Sequence, residues 1–138
     1  MSEAIFPELA GLLSEVLAGV LIAEPSFERL MAEDVVFEFP YAPDGFTRRI
    51  EGRAALTQYL TTVAGGIAID QIHAGTVMVS PDHAMLEMHM KGHRRGDGQA
   101  YDQTYVAVIA LAEGRITHYR DYWNPLPVLA ASSAGALA

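Results

Sequence analysis

Residues 8–23 are apolar almost without a break, interrupted only by polar positions such as Ser14 and Glu15. They show no strand alternation, a pattern that predicts a helix packed on more than one side. Pro25 breaks the chain, and Ser26 stands where it would cap a second short helix over SFERLMAED. VVFEFPY (35–41) is rich in β-branched and aromatic residues and is stopped by Pro40 and Pro43, which predicts a strand. APDGFTRRIEG reads as a turn-rich loop, tightest at Asp44-Gly45. RAALTQYLTTVA (53–64) predicts a third helix, ended by Gly65-Gly66. The pattern then changes. IAIDQIHAGTVMV, HAMLEMHMKGHRR, QAYDQTYVAVIALA and RITHYRDYWN are strand candidates separated by short Gly/Asp/Pro turns, which predicts an antiparallel meander. The expected fold is α+β: three N-terminal helices packed on a strongly curved antiparallel sheet, with a conical cavity between the layers. One domain is expected over residues 1–126, followed by a frayed small-residue tail over 127–138.

Composition narrows the class. The 138 residues are 51% hydrophobic and 19% charged, as in soluble globular domains. A net charge of -8 argues against nucleic acid or an anionic membrane as partner, since both need a basic surface. The basic clusters Arg48-Arg49-Arg53 and His93-Arg94-Arg95 read as solvated loop charge. Cysteine is absent, so there is no disulfide framework and no thiolate chemistry. The apolar run 9–23 is too short to span a bilayer, and Glu3 and Glu8 stand where a secretory signal would be basic. A cytoplasmic protein is expected. No HExxH, GxSxG or Gly-rich phosphate loop occurs. His89 and His93 share a strand face but lie about 13 Å apart at strand rise, too far to bind one metal. Neither a metal nor a cofactor is expected.

Several strings, in this order and spacing, resemble the ketosteroid-isomerase-like, SnoaL-like superfamily with the nuclear-transport-factor-like cone. They are AEDVVFEFPYAP (32–43), Gly52-Arg53, EGRI (113–116) and YRDYWNP (119–125). The RDYWNP ending is most similar to the branch that includes the phenazine-biosynthesis A/B proteins. The resemblance covers residues 9–126. It implies a conical pocket for a small apolar or aromatic ligand and a homodimer through the outer sheet face. It also implies that Trp123, ending the last strand, lines the cavity. Alternation then turns Asp121 and Tyr119 inward and His118, Arg120 and Tyr122 outward. The family register places Asp102, Thr104, Val106 and Val108 inward on the preceding strand, with Tyr101, Gln103 and Tyr105 outward. On the strand before that it places Met85, Glu87 and His89 inward, with Leu86, Met88 and Met90 outward against a partner.

The inward set expected from this register is Glu87, His89, Asp102 and Asp121. They sit among Phe37, Phe39, Tyr41, Leu60, Met85, Thr104, Val106, Tyr119 and Trp123. Carboxylates and an imidazole in an aromatic cone form an acid–base kit, because burial raises a carboxyl's pKa toward neutrality. Two departures separate this chain from steroid isomerases. Phe39 occupies the position of their general-base Asp, and Val106 that of their neutral carboxylic-acid donor. The carboxylates of the phenazine-type proteins align instead with Asp102 and Asp121. The expectation is a small cofactor-independent isomerase, cyclase or condensing enzyme acting on an apolar carbonyl compound, with Asp121 as the proton-transfer group. The alternatives are a non-catalytic binding module and a dimerising scaffold with a vestigial cavity. A bland role for Asp121, an ion pair with Arg53, also stands, and Glu87 and His89 have the bland alternatives of hydrogen-bonding each other or of protruding at the rim.

Overall fold

In the computed structural model, which describes residues 3–133, the chain runs α1 (Pro7–Val16), a 3-10 turn (Phe27–Leu30), β1 (Met31–Glu38), β2 (Arg49–Glu51), α2 (Arg53–Gly66), β3 (Ile67–Val79), β4 (His83–Arg94), β5 (Gln103–Ala112), β6 (Arg115–Trp123) and α3 (Pro125–Ser133). The six strands form one open sheet in the order β2-β1-β6-β5-β4-β3. The β3–β6 meander is antiparallel as expected. The sheet as a whole is mixed, because β6 returns beside β1 in the same direction, with Phe37 opposite Tyr119.

The expected second helix is absent. Ser26 does not cap with its side chain; its hydroxyl accepts the Ile5 N–H at 2.7 Å. Only Phe27–Leu30 turns, with Phe27 and Leu30 buried, and the chain enters β1 at Met31. The helix-forming composition of MAED yields to sheet pairing, Met31 lying opposite Ile116 and fully buried. The first helix is shorter than its apolar run. It ends at Val16, and Gly19 takes a φ of +99°. Residues 17–22 then dock on the β5–β6 turn, where Ile22 N–H bonds Gly114 O at 2.9 Å. At Gly114 (φ +78°) a Cβ would stand 2.9 Å from an Ile22 methyl, so both the turn and its contact require glycine.

Both longer helices cover one face of the sheet, α1 against β3 and α2 against β1. The core between the layers holds Leu13, Leu17, Leu56, Phe27, Phe37, Ile109, Ile116 and Tyr119. Tyr119 stacks on Phe37 with centroids 4.5 Å apart and meets Phe27 edge-on at 5.6 Å. The end of β6 is pinned by Gln103, which is 3% exposed. Its Oε1 accepts the N–H groups of Asn124 and Thr104, both at 2.9 Å, and its Nε2 donates to Asn124 O at 2.9 Å. Gly92 lets β4 run close to its surroundings: a Cβ there would meet Ala68 O at 2.5 Å and Tyr101 O at 3.3 Å. Residues 125–133, where fraying was expected from 127 on, begin as a helix with Pro125 at its start, and Val128 is buried. Residues 134–138 of the expected tail lie outside the described residues.

Candidate active site

Strand pairing decides which side chains meet inside. Directly paired residues share a face, and Asp121 lies opposite Ala107, Trp123 opposite Tyr105 and Tyr119 opposite Ile109. Ala107, Ile109 and Tyr119 are buried beneath the helices, so Asp121 and Trp123 face inward with them. Phe37 and Phe39 of the first strand segment and Leu60 of α2 are buried on the same side. Tyr59 reaches in from α2 to Phe39, centroids 5.5 Å apart, and Phe39 reaches Trp123 at 6.3 Å.

Asp121 is a half-buried residue whose Oδ1 is completely occluded and has no hydrogen-bond partner among the described residues. Burial raises its pKa from 3.8 to about 8, and among the described residues no charge or donor pulls it back. Four phenols lie close enough to feel its charge. Tyr59 is pushed up to about 12, first by burial and then by Asp121. Tyr105 and Tyr119 are raised well above the ordinary phenol value for the same two reasons. Tyr101 is raised by burial, with the Gln103 hydrogen bond pulling the other way. The phenols therefore stay protonated, and Asp121 is the group in this cluster that changes charge near neutral pH.

The ion pair with Arg53 does not form. Arg53 donates instead to Met31 O at 3.3 Å, and Asp121 enters no ion pair among the described residues.

The rest of the expected inward set is corrected. Because Ala107 faces in, Val106 faces out, and with it Glu87, its direct partner. His89 and Thr104, a second direct pair, and Asp102 are exposed, and Met85 is 44% exposed. Leu86, Met88 and Met90 take the buried positions. The physical reason is the hydrophobic term: burying a Leu or Met side chain is worth roughly 1.5–3 kcal/mol, whereas a buried carboxylate without a partner is costly. Glu87 accepts the Thr76 N–H at 3.2 Å, which holds its pKa below the ordinary value, and His89 stacks on His73 with centroids 5.4 Å apart. Tyr41 is 61% exposed and packs edge-on against Tyr122 rather than lining the interior. Of the expected set, Asp121, Phe37, Phe39, Leu60, Tyr119 and Trp123 come together. Tyr101, Gln103 and Tyr105, expected on the outer face, join them instead, and so does Tyr59, which was not foreseen. The alternation of the DQTYVAV string could have brought in Tyr105 and Gln103, whereas nothing local marks Tyr59.

Two surface clefts lie elsewhere, around the start of α2. One of about 390 Å³ is lined by Glu24, Glu28, Arg29, Arg53, Thr57 and Arg115. The other, of about 600 Å³, is lined by Glu33, Asp34 and Glu51 with the first turn of α2. Neither reaches Asp121. Among the described residues, no group of three or more His, Asp or Glu side chains is placed to hold a metal ion, and no helix is long and apolar enough to cross a membrane.

Residues 24–119 match the SnoaL-like domain. The chain is 44% identical over 105 residues to the uncharacterized protein YesE of Bacillus subtilis, covering 75% of this chain and 71% of that one. It is 34% identical over 97 residues to the uncharacterized PhzA/B-like protein PA3332 of Pseudomonas aeruginosa, covering 70% and 69%. Among solved structures, a Bacillus subtilis protein provisionally described as an isomerase superposes with a TM-score of 0.74 at 41% identity, over 81% of this chain and 82% of that one. The phenazine biosynthesis-related protein phzb2 of Pseudomonas aeruginosa superposes with a TM-score of 0.56 at 18% identity, over 77% and 72%, a likeness of fold.

Proposed function

The chain belongs to the SnoaL-like domain family, with the nuclear-transport-factor-like, ketosteroid-isomerase-like fold, and from that premise we propose that it is a cofactor-independent acid–base enzyme of isomerase or cyclase type. Its substrate is an apolar carbonyl compound, and Asp121 is the group that takes and returns the proton. One observation carries this reading: a carboxyl raised to about 8 with an occluded, unpartnered oxygen among aromatic side chains. A general acid or base works best with a pKa near the operating pH, and an acid held neutral in an apolar site also donates to a developing oxyanion. Trp123, only partly buried, orients a flat substrate beside it, and Tyr119 backs the site from the core. The fold likeness to a protein described as an isomerase supports the same class.

A second reading has its own support. Glu87, His89 and Asp102 turn away from Asp121, so the expected acid–base kit shrinks to one carboxyl. A binding module needs no more than that. The homodimer belongs to either reading. Its support is the apolar component of the outer face, Met78 (61% exposed) and Met85, with Val106 and Val108 beside them.

The test combines two measurements. Carboxyl NMR titration should find Asp121 changing charge well above pH 6, and a panel of enolisable ketones in D2O should show α-proton exchange accelerated by the wild type and not by Asp121→Asn. An ordinary Asp121 titration would remove the proton-transfer role. A raised pKa with no accelerated exchange would leave the binding module.

A further inference from the structure

The cleft of about 390 Å³ at the start of α2 is polar throughout. Three elements wall it. Glu24, Glu28 and Arg29 come from the segment that runs into the 3-10 turn, Arg53 and Thr57 from the first turns of α2, and Arg115 from the start of β6. Three guanidiniums against two carboxylates leave one positive charge, in a chain whose net charge is -8. These arginines differ from others in the chain. Arg48, Arg49 and Arg94 each hold a carboxylate, whereas Arg29, Arg53 and Arg115 enter no ion pair among the described residues. Arg53 and Arg115 donate instead to main-chain oxygens, Met31 O at 3.3 Å and Arg29 O at 2.6 Å. Each does so through Nη1, which anchors a five-donor fork without filling it. The glutamates do not close the gap: Glu28 accepts the Ser26 hydroxyl, and Glu24 has no ion-pair partner among the described residues. The backbone adds to the imbalance. Arg53 stands first in α2, where the helix dipole disfavours a cation, Gly52 offers no side-chain cap and the first turn carries no acid. An anion in the cleft would offset both.

We infer that this cleft binds a small polyhydroxylated anion. Its carboxylate or phosphoryl head takes the forks of Arg29, Arg53 and Arg115, since a guanidinium pairs with either oxyanion bidentately. Its hydroxyl groups donate to Glu24 and Glu28, which accept and cannot donate when ionised. The lining residues exclude the other classes. None is apolar, so an aromatic or aliphatic ligand gains nothing there, and an uncharged polyol would leave the guanidiniums without a counter-charge. Asp121 lines neither cleft, so this site stands apart from the proposed proton transfer.

Calorimetric titration of the whole chain with gluconate, glucose 6-phosphate and glucose tests this. At least one of the two anions should bind, and the preference between them identifies the head. Glucose should bind at least about tenfold more weakly, as should hexanoate and inorganic phosphate, which keep a head and lack the hydroxyl groups. Added NaCl should weaken the anion's binding. Arg29 is exposed, so Arg29→Gln leaves the fold intact, and it should cost about tenfold in affinity. Arg95, which donates to Ala64 O near the other end of α2, is the control: Arg95→Gln should stay within about twofold. Asp121→Asn, with folding checked by circular dichroism, should stay within the same range. Binding of neither anion, equal binding of glucose or of the heads alone, full affinity in Arg29→Gln, or affinity lost in Asp121→Asn would each overturn the inference.

Discussion

Ala107 and Asp121 stand directly opposite each other on adjacent antiparallel strands, the small residue beside the carboxyl on the covered face of the sheet. That pairing fixes the direction of the side chains on β4 and β5. Ala107 is fully buried, so Ala107→Leu should overpack the interior beside the carboxyl. Overpacking a tight interior typically costs 1–3 kcal/mol. The variant should melt lower and lose ligand binding while its outer-face residues remain undisturbed, as amide chemical shifts would report.

Asp121 also predicts a pH dependence of stability. Its folded pKa, about 8, exceeds the ordinary 3.8, so between these values the folded protein binds the extra proton. Stability from this group is therefore fully present below pH 4, falls as pH rises from there toward 8 and levels above it. At about 1.4 kcal/mol per unit, the ceiling of the fall is on the order of 6 kcal/mol. Urea unfolding across pH 4–9 should show the decline in the wild type and a much flatter profile in Asp121→Asn, with the variant the more stable above pH 8. Asp82, Glu87 and Asp97, held low by hydrogen bonds, act in the opposite sense, losing stability only as pH falls through their own lowered range.

The direction of β4 can be checked one residue at a time. Met88 is 1% exposed and its neighbour His89 is exposed. Met88→Ala should cost about 2–5 kcal/mol in urea unfolding. His89→Ala should stay within about 0.5 kcal/mol and leave turnover unchanged. The reverse order would invert the strand.

Gln103→Leu should loosen the end of β6. It removes the acceptor for the Asn124 and Thr104 N–H groups and the donor to Asn124 O. Leaving buried polar groups unpaired costs about 1–3 kcal/mol each. Hydrogen exchange at Asn124 should accelerate, and the Trp123 fluorescence maximum should move to the red.

Much of this was legible in the residues. The meander from Ile67 to Trp123 is written in β-branched and aromatic runs broken by Ser80-Pro81-Asp82 and Glu113-Gly114. The inward turn of Asp121 follows from Trp123 two positions on. The orientation of β4 was also present, since Leu86, Met88 and Met90 alternate cleanly with Glu87 and His89; the family register pointed the other way, and hydrophobic burial prevailed. What no local pattern carried were long-range pairings. MAED has helix-forming composition, and only Ile116, far along the chain, makes Met31 a strand residue. The three-residue β2 exists because Ile50 meets Phe37. Tyr59 lies on a helix face, and only the packing of α2 on the sheet brings it to Phe39 and Asp121.

The parallel seam between the first and last long strands has a consequence for biosynthesis. Phe37 and Tyr119 sit side by side near the middle of the sheet, yet one is translated long before the other. A growing chain that has not reached residue 115 therefore presents two unsatisfied strand edges, along β1 and along β5, flanking a gap where β6 belongs. Loop closure of that span sets the pace of assembly, and until it closes those edges are open to strands of other nascent chains. A chain cut short before Arg115 would lose an interior strand rather than a dispensable margin, and aggregation rather than a smaller folded core is the fate its topology dictates.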